Sequence, residues 1–158
     1  MKVRKRTIAR EIALQLLYQH DIWERADESD GLEEKPDAEA HICSATDDPE
    51  VRDFARKLHD GSIDAIEASD RLILDVVDNW TPKRVAVIDR AILRLAVFEL
   101  GELPEIPPKV TINEAIELAK KYSTRESGAF VNGVLDRLLF LHDGARSQKR
   151  EDRGDGED

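Results

Sequence analysis

The first ten residues hold a cluster of basic side chains whose chemistry suits contact with phosphate groups. The cluster consists of Lys2, Arg4, Lys5, Arg6 and Arg10, and with no acid among them the segment carries a net charge of +5. Arg6 and Arg10 are four residues apart, which places them on one side of a helix. Lysine and arginine neutralise phosphate charge in nucleic-acid complexes. The cluster therefore predicts a nucleic-acid contact, although by charge alone a solvated helix start explains it equally well.

Two aromatic residues further along the chain are candidates for contacts with RNA bases. Tyr18 lies two helical turns after Arg10, and an aromatic ring there can stack on a base. Ordinary packing is the competing explanation for Tyr18, and periodicity alone favours it. Phe130 lies at the margin of an apolar helical stripe, next to Ala129 and close to Gly133. Small residues beside it suit either the close approach of another chain or tight packing within this one.

The chain lacks the short motifs of common enzyme and metal sites. It contains no GxxxxGK[ST], GxGxxG, HExxH, CxxC or GxSxG sequence. Its four histidines lack the spacing of metal ligands, and the single cysteine, Cys43, argues against a zinc site. We therefore predict a protein that binds rather than catalyses, with no catalytic residue, no metal and no cofactor.

Charge is distributed unevenly along this acidic chain. The 158 residues carry a net charge of −10, and residues 21–50 hold twelve acids against two bases. A basic end on an acidic body indicates an asymmetric binding surface. Hydrophobic residues make up 41% of the chain, enough for a core, and aromatic residues only 5%, which weighs against an all-β fold.

Hydrophobic periodicity predicts an all-α fold. We expect helices at about 4–23, 49–59, 62–79, 83–100, 108–122 and from about 123 to 141. The helix at 83–100 is apolar nearly all round, which is typical of a central helix. Residues 27–50 have no period and predict a mobile acidic loop. These patterns predict one helical domain over residues 1–141, followed by a disordered polar tail at 142–158.

The sequence also predicts a cytoplasmic protein without membrane contact. A single cysteine excludes an internal disulfide, which fits a reducing compartment. No apolar run approaches the roughly 20 residues of a membrane span. The first helix contains Arg10, Glu11 and Gln15, so it lacks the unbroken apolar core of a signal peptide.

Four blocks of the sequence resemble the NusB family. They read AREIALQLLYQ at 9–19, IDRAILRLAVFEL at 88–100, IPPKVTINEAIELAKKY at 106–122 and SGAFVNGVLDRL at 127–138. The blocks keep the family's order and similar spacing, and together they cover about a third of the chain. The most specific part is PPKVTINEAIELAKKY followed by FVNGVLDRL.

The resemblance implies both a fold and a function. The fold is a bundle of about seven helices in two packed halves of three to four helices each. The function is transcription antitermination, in which the protein binds boxA-type RNA of ribosomal operon leaders together with NusE, a small-subunit ribosomal protein. The complex then acts on RNA polymerase with other Nus factors, so that ribosomal operons escape premature termination.

The resemblance also implies roles for individual residues. It assigns the basic start to an RNA-binding arm, and it places Tyr18 and Phe130 near the RNA. It places Glu126 near the partner surface, and Asp89 where the family has an acid facing NusE. Ala129 departs from the family, whose members often have lysine or arginine just before the phenylalanine.

Two other functions fit parts of the same pattern. A NusB-like domain also occurs fused to RNA cytosine methyltransferases, but this chain shows no nucleotide-binding domain, so we expect no such enzyme. The main alternative is a helical interaction module that has lost RNA binding and acts through self-association as a homodimer. The acidic balance and Ala129 favour that alternative.

Overall fold

The fold consists of helices throughout the part of the chain that the structure describes. The computed structural model describes residues 3–78 and 85–154, with side chains described at 4–78 and 85–142. Its elements are α1 (Val3–Arg25), a 3-10 helix (Glu28–Asp30), α2 (Ala38–Ala45), α3 (Pro49–Asp64), α4 (Ile66–Leu74), α5 (Val87–Glu102), α6 (Pro108–Tyr122) and α7 (Arg125–Gly154). The predicted all-α bundle of about seven helices is confirmed over these ranges.

Helix α5 is the centre of the bundle. Every residue from Asp89 to Glu99 is buried, and α1, α3, α4, α6 and α7 all pack against this helix. A helix that is apolar nearly all round is stable in water only when neighbours cover each of its sides. Helix α1 also pairs with α3, and α6 with α7, so α5 joins two groups of helices. The predicted central position is confirmed.

The acidic segment at 27–50 contains more regular structure than its composition predicts. Asp37 caps α2 by accepting a hydrogen bond of 3.0 Å from the backbone N–H of Ala40. Ile42 is buried at 1% exposure, and His41 lies 3.0 Å from the Gln15 side chain of α1. The prediction of a mobile loop is therefore wrong for residues 38–45. A helix anchored by one buried apolar residue has no periodicity for the sequence to reveal.

Two helix ends also differ from the sequence prediction. Helix α7 begins after Thr124, whose hydroxyl accepts a hydrogen bond of 3.1 Å from the backbone N–H of Ser127, so the cap lies one residue after the predicted Ser123. The same helix continues to Gly154, whereas the sequence predicts a disordered polar tail over residues 142–158. No proline occurs in 142–154, so nothing in the backbone interrupts the helical hydrogen bonds.

Gly61 lies in α3 at a position where we expect a single added methyl group to destabilise the protein clearly. The sequence predicts that helix two ends before Gly61, but α3 continues through it to Asp64. A Cβ at Gly61 would overlap the ring carbons of Phe98 on α5, so Gly61→Ala must displace a packed ring. Overpacking costs about 1–3 kcal/mol, which exceeds the helical advantage of alanine over glycine of about 1 kcal/mol. Urea unfolding measures the loss.

Gly133 provides the matched control for this substitution. It also lies inside a helix, α7, but among the described residues no heavy atom beyond the adjoining part of that helix would lie within 4 Å of a Cβ at this position. Gly133→Ala is therefore expected to raise the free energy of unfolding by about 0.5–1 kcal/mol. The same change in stability for both variants would contradict the Phe98 contact as the cause.

Candidate nucleic-acid interface

The predicted basic arm begins on the first turns of α1. Lys2 lies outside the described residues, and Arg4 is exposed. Lys5 contacts the start of α3, because its Nζ lies 2.9 Å from Oδ2 of Asp48 and 3.7 Å from Oε2 of Glu50. Asp48 also caps α3 by accepting a hydrogen bond of 3.0 Å from the backbone N–H of Glu50. The start of α1 is thus held against α3 through Lys5.

The contact between Lys5 and Asp48 changes the pKa of both groups. The hydrogen bond raises the pKa of Lys5 and lowers the pKa of Asp48. A lowered carboxyl pKa stabilises the fold above the unfolded value of about 4 and stops doing so as the pH falls through the folded value. A raised lysine pKa stabilises the fold below the unfolded value of about 10.4, and this contribution to stability is lost as the pH rises through the folded value. The pair is therefore charged throughout the neutral range.

Arg6 contacts an aromatic ring of α3. The guanidinium carbon lies 5.6 Å from the ring centroid of Phe54, within the range of a cation–π interaction. The side chain is half-buried, and its buried Nε has no hydrogen-bond partner among the described residues. No local pattern in the sequence marks Phe54, because nothing along the chain connects a ring on α3 with an arginine on α1.

Arg10 belongs to the core, which corrects the prediction of an RNA contact at this residue. Its side chain is 1% exposed, and its Nη2 donates a hydrogen bond of 2.6 Å to Oε1 of Glu99, which is itself 2% exposed. The Nε of Arg10 donates to the same carboxylate at 3.1 Å. Thr111 donates a further hydrogen bond to Glu99 at 3.2 Å, so α1, α5 and α6 meet at this buried pair. A guanidinium committed in this way has no face open to a phosphate.

Tyr18 lines an open cleft instead of packing in the core. Its side chain is 39% exposed, and the cleft has a volume of about 660 Å³. The lining residues come from α1, the start of α5 and the end of α6: Leu14, Gln15, Tyr18, Gln19, Val87, Ile88 and Tyr122. A half-exposed ring beside a mostly apolar cleft is a suitable surface for stacking.

Phe130 lines a separate cleft between α7 and residues 76–78, which follow the end of α4. The ring is 36% exposed, and Gly133 and Arg137 line the same space, which measures about 440 Å³. Glu126, one turn earlier on α7, is exposed. Gly128 and Gly133 of α7 differ, because a Cβ at Gly128 would lie 3.3 Å from Lys120 Cγ, whereas one at Gly133 would contact no described atom beyond the adjoining part of its own helix. Packing within the chain therefore explains Gly128, and the surface at Gly133 is left open.

Asp89 is buried, which does not fit the position facing a partner that the resemblance implies. It is 7% exposed, and its Oδ2 accepts a hydrogen bond of 2.9 Å from the hydroxyl of Ser127. Its Oδ1 is buried and has no hydrogen-bond partner within the described residues. Because Ser127 follows Glu126 directly, Asp89 holds the start of α7 from within the bundle.

Residues 3–78 and 85–154 contain neither a cluster of metal ligands nor a membrane span. No group of three or more His, Cys, Asp or Glu side chains there is arranged to hold a metal ion. None of the helices described is both long enough and apolar enough to cross a membrane.

The family of this chain is identified by its similarity to known proteins. The sequence profile of the NusB family matches residues 7–140. The chain belongs to the NusB family. A transcription antitermination protein NusB from Thermodesulfovibrio yellowstonii is 39% identical over 137 residues, which cover 85% of this chain and 91% of that protein.

Solved structures of NusB proteins share the fold. NusB from T. maritima matches with a TM-score of 0.70 at 35% identity, over 87% of this chain and 92% of that one. A chain in the crystal structure of the antitermination factors NusB and NusE in complex with double-stranded RNA matches with a TM-score of 0.73. Its identity is 28%, and the match covers 89% of this chain and 99% of that one.

In this NusB family member, the basic residues at the start of α1 differ in what holds them. Arg4 is exposed, Lys5 is paired with carboxylates, Arg6 lies over a ring and Arg10 is buried in an ion pair. All four residues are basic and belong to the same helix, so these differences come from the neighbouring helices. The surface face of the arm is therefore narrower than the sequence alone predicts.

Proposed function

We propose that this protein is an RNA-binding adaptor for transcription antitermination. It binds boxA-type RNA of ribosomal operon leaders together with the ribosomal protein NusE, and the complex acts in the cytoplasm on RNA polymerase with other Nus factors. The observation that carries the proposal is membership of the NusB family along most of the chain. The matching structure of NusB and NusE with double-stranded RNA supports the same two partners. The protein acts by binding, not by catalysis.

The proposed RNA surface combines charge with exposed rings. Arg4 and Arg6 supply phosphate contacts from α1, together with Lys2 and Lys5. Tyr18 and Phe130 are 39% and 36% exposed, and stacking on unpaired bases is a common use of such rings in RNA-binding proteins. We place bases against one or both rings, with the phosphate backbone following the start of α1.

The acidic body of the protein supplies a reason for the partner. Residues outside the first ten carry a net charge of −15, which repels a phosphate backbone over a Debye length of about 8 Å at physiological salt. A basic ribosomal protein bound to this body neutralises part of that field and extends the basic surface. Exposed Glu126 is the proposed contact with NusE. Buried Asp89 contributes indirectly, because it holds Ser127, the residue next to Glu126.

The test of this function is RNA binding with and without the partner. Fluorescence anisotropy with a labelled RNA that spans the boxA element is measured for the purified protein alone and with NusE. We expect NusE to raise the affinity about 5- to 150-fold, the usual range for two coupled sites. Equal affinity with and without NusE would contradict cooperative binding. A stable dimer by light scattering, combined with no RNA binding in either condition, would favour the self-association alternative.

Asp48→Asn is expected to raise RNA affinity about twofold at low salt. The substitution removes the carboxylate that pairs with Lys5 at 2.9 Å, while the amide oxygen of asparagine still caps α3. Exposed ion pairs are weak, so the gain is small and should disappear as salt screens the pair. Anisotropy titrations at two salt concentrations measure it.

Glu67→Gln on α4 is the control for net charge. Glu67 is exposed and lies 4.0 Å from Arg71 of the same helix, so its removal changes the overall charge equally without touching Lys5. An equal gain in both variants would assign the effect to net charge and remove the Lys5 contact as its cause.

A further inference from the structure

The start of α3 holds two neighbouring cations of α1 by different chemistry. Asp48 and Glu50 pair with Lys5, and the Phe54 ring contacts Arg6 at 5.6 Å. Glu50 and Phe54 are four residues apart, so they lie on one side of α3. A carboxylate neutralises the cation that it holds, whereas a ring attracts the cation through its quadrupole and leaves the charge in place. Arg6 is therefore oriented without losing its charge.

Arg10 leaves the Phe54 ring available for contact with Arg6. Its guanidinium carbon also lies close to the Phe54 centroid, at 5.8 Å. Two uncompensated cations beside one ring would repel each other. The ion pair of 2.6 Å with Glu99 neutralises Arg10, so the cation of Arg6 meets the ring without a competing charge. Among the described residues, no carboxylate forms an ion pair with Arg6 of the kind that Arg10 and Lys5 make.

We propose that Phe54 is a positioning residue for RNA binding, because it holds the Arg6 guanidinium in the orientation that meets a phosphate. This inference rests on the proposed function. A long arginine side chain loses rotamer freedom when it binds a ligand, and a ring that already restrains it lowers that loss. Phe54 is only 9% exposed, so it acts through Arg6 and does not itself provide the RNA surface.

The test replaces the ring and keeps the core apolar. We compare Phe54→Leu, which removes the ring, with Phe54→Tyr, which keeps it, by anisotropy with labelled boxA RNA in the presence of NusE. We expect about a three- to tenfold loss of affinity for Phe54→Leu, corresponding to one side chain that must be ordered on binding. Phe54→Tyr is expected to stay within about twofold of wild type, because the ring that holds Arg6 is retained.

A double-mutant cycle separates positioning from a general loss of structure. If Phe54 acts through Arg6, Phe54→Leu in an Arg6→Ala background causes no further loss. The same loss in both backgrounds would overturn the proposal, since the ring would then act through the fold. Ile73→Val, which removes one methyl group from a fully buried residue of α4, is the control for core packing and should leave RNA affinity unchanged.

A measurement on the free wild-type protein does not depend on any variant folding. The Nε–H signal of Arg6 in nitrogen-15 NMR spectra is expected to show a ring-current shift and restricted motion before RNA is added. An unshifted and mobile Arg6 would overturn the proposal. If the wild-type protein binds RNA with NusE and Phe54→Leu binds it equally well, this inference alone is overturned. If the wild-type protein does not bind RNA with NusE, the proposed function is overturned as well.

Discussion

Replacing Arg10 with methionine is expected to lower the free energy of unfolding by about 3–5 kcal/mol. The substitution leaves the carboxylate of Glu99 buried at 2% exposure, with the Thr111 hydroxyl as its remaining hydrogen-bond donor. An uncompensated buried charge is far more costly than a lost surface ion pair. Since domains are stable by about 5–15 kcal/mol, the loss is a large share of the total. Urea unfolding at neutral pH measures it.

The double variant Arg10→Met, Glu99→Met tests the cause. Removing both charges from the core is often nearly neutral, so we expect most of the lost stability to return. Arg4→Met is the matched control, because Arg4 is exposed on the same helix and surface substitutions usually stay within about 0.5 kcal/mol. Equal stability of Arg10→Met and Arg4→Met would contradict the buried position of Arg10.

The affinity for boxA RNA is expected to fall roughly 50-fold between about 50 and 200 mM salt. Four basic residues remain candidates for phosphate contacts once Arg10 is assigned to the core: Lys2, Arg4, Lys5 and Arg6. At about −0.7 per contact on single-stranded RNA, they predict a slope near −2.8 for the logarithm of affinity against the logarithm of salt. Anisotropy titrations with NusE present, at four or more salt concentrations, measure the slope.

The double variant Arg4→Ala, Arg6→Ala is expected to halve that slope, to about −1.4. Lys57→Ala, an exposed change on α3, removes one positive charge from outside the arm and should leave the slope as it is. A slope that the arm variant does not change would remove the start of α1 from the RNA site. A slope lowered equally by Lys57→Ala would indicate a nonspecific effect of charge.

The amino-acid sequence by itself determined the helical class, the central place of α5 and the bounds of α6. Each of these depends on local information, since helical periodicity and proline positions are properties of adjacent residues. The apolar run at 83–100 predicts a helix surrounded on all sides, and the structure buries Asp89 through Glu99. The four blocks that resemble the NusB family are equally local, because each is a continuous stretch of sequence.

Tertiary structure alone decided which basic residues face solvent. Arg6 and Arg10 have the same residue type and share a side of α1, but one lies over Phe54 at the surface and the other is buried against Glu99, 89 positions away. Asp89 is likewise buried, and its hydrogen-bond partner Ser127 is 38 positions away. Periodicity assigns a residue to a face of its own helix, but whether that face meets solvent, a ring or a carboxylate depends on which distant helix packs there.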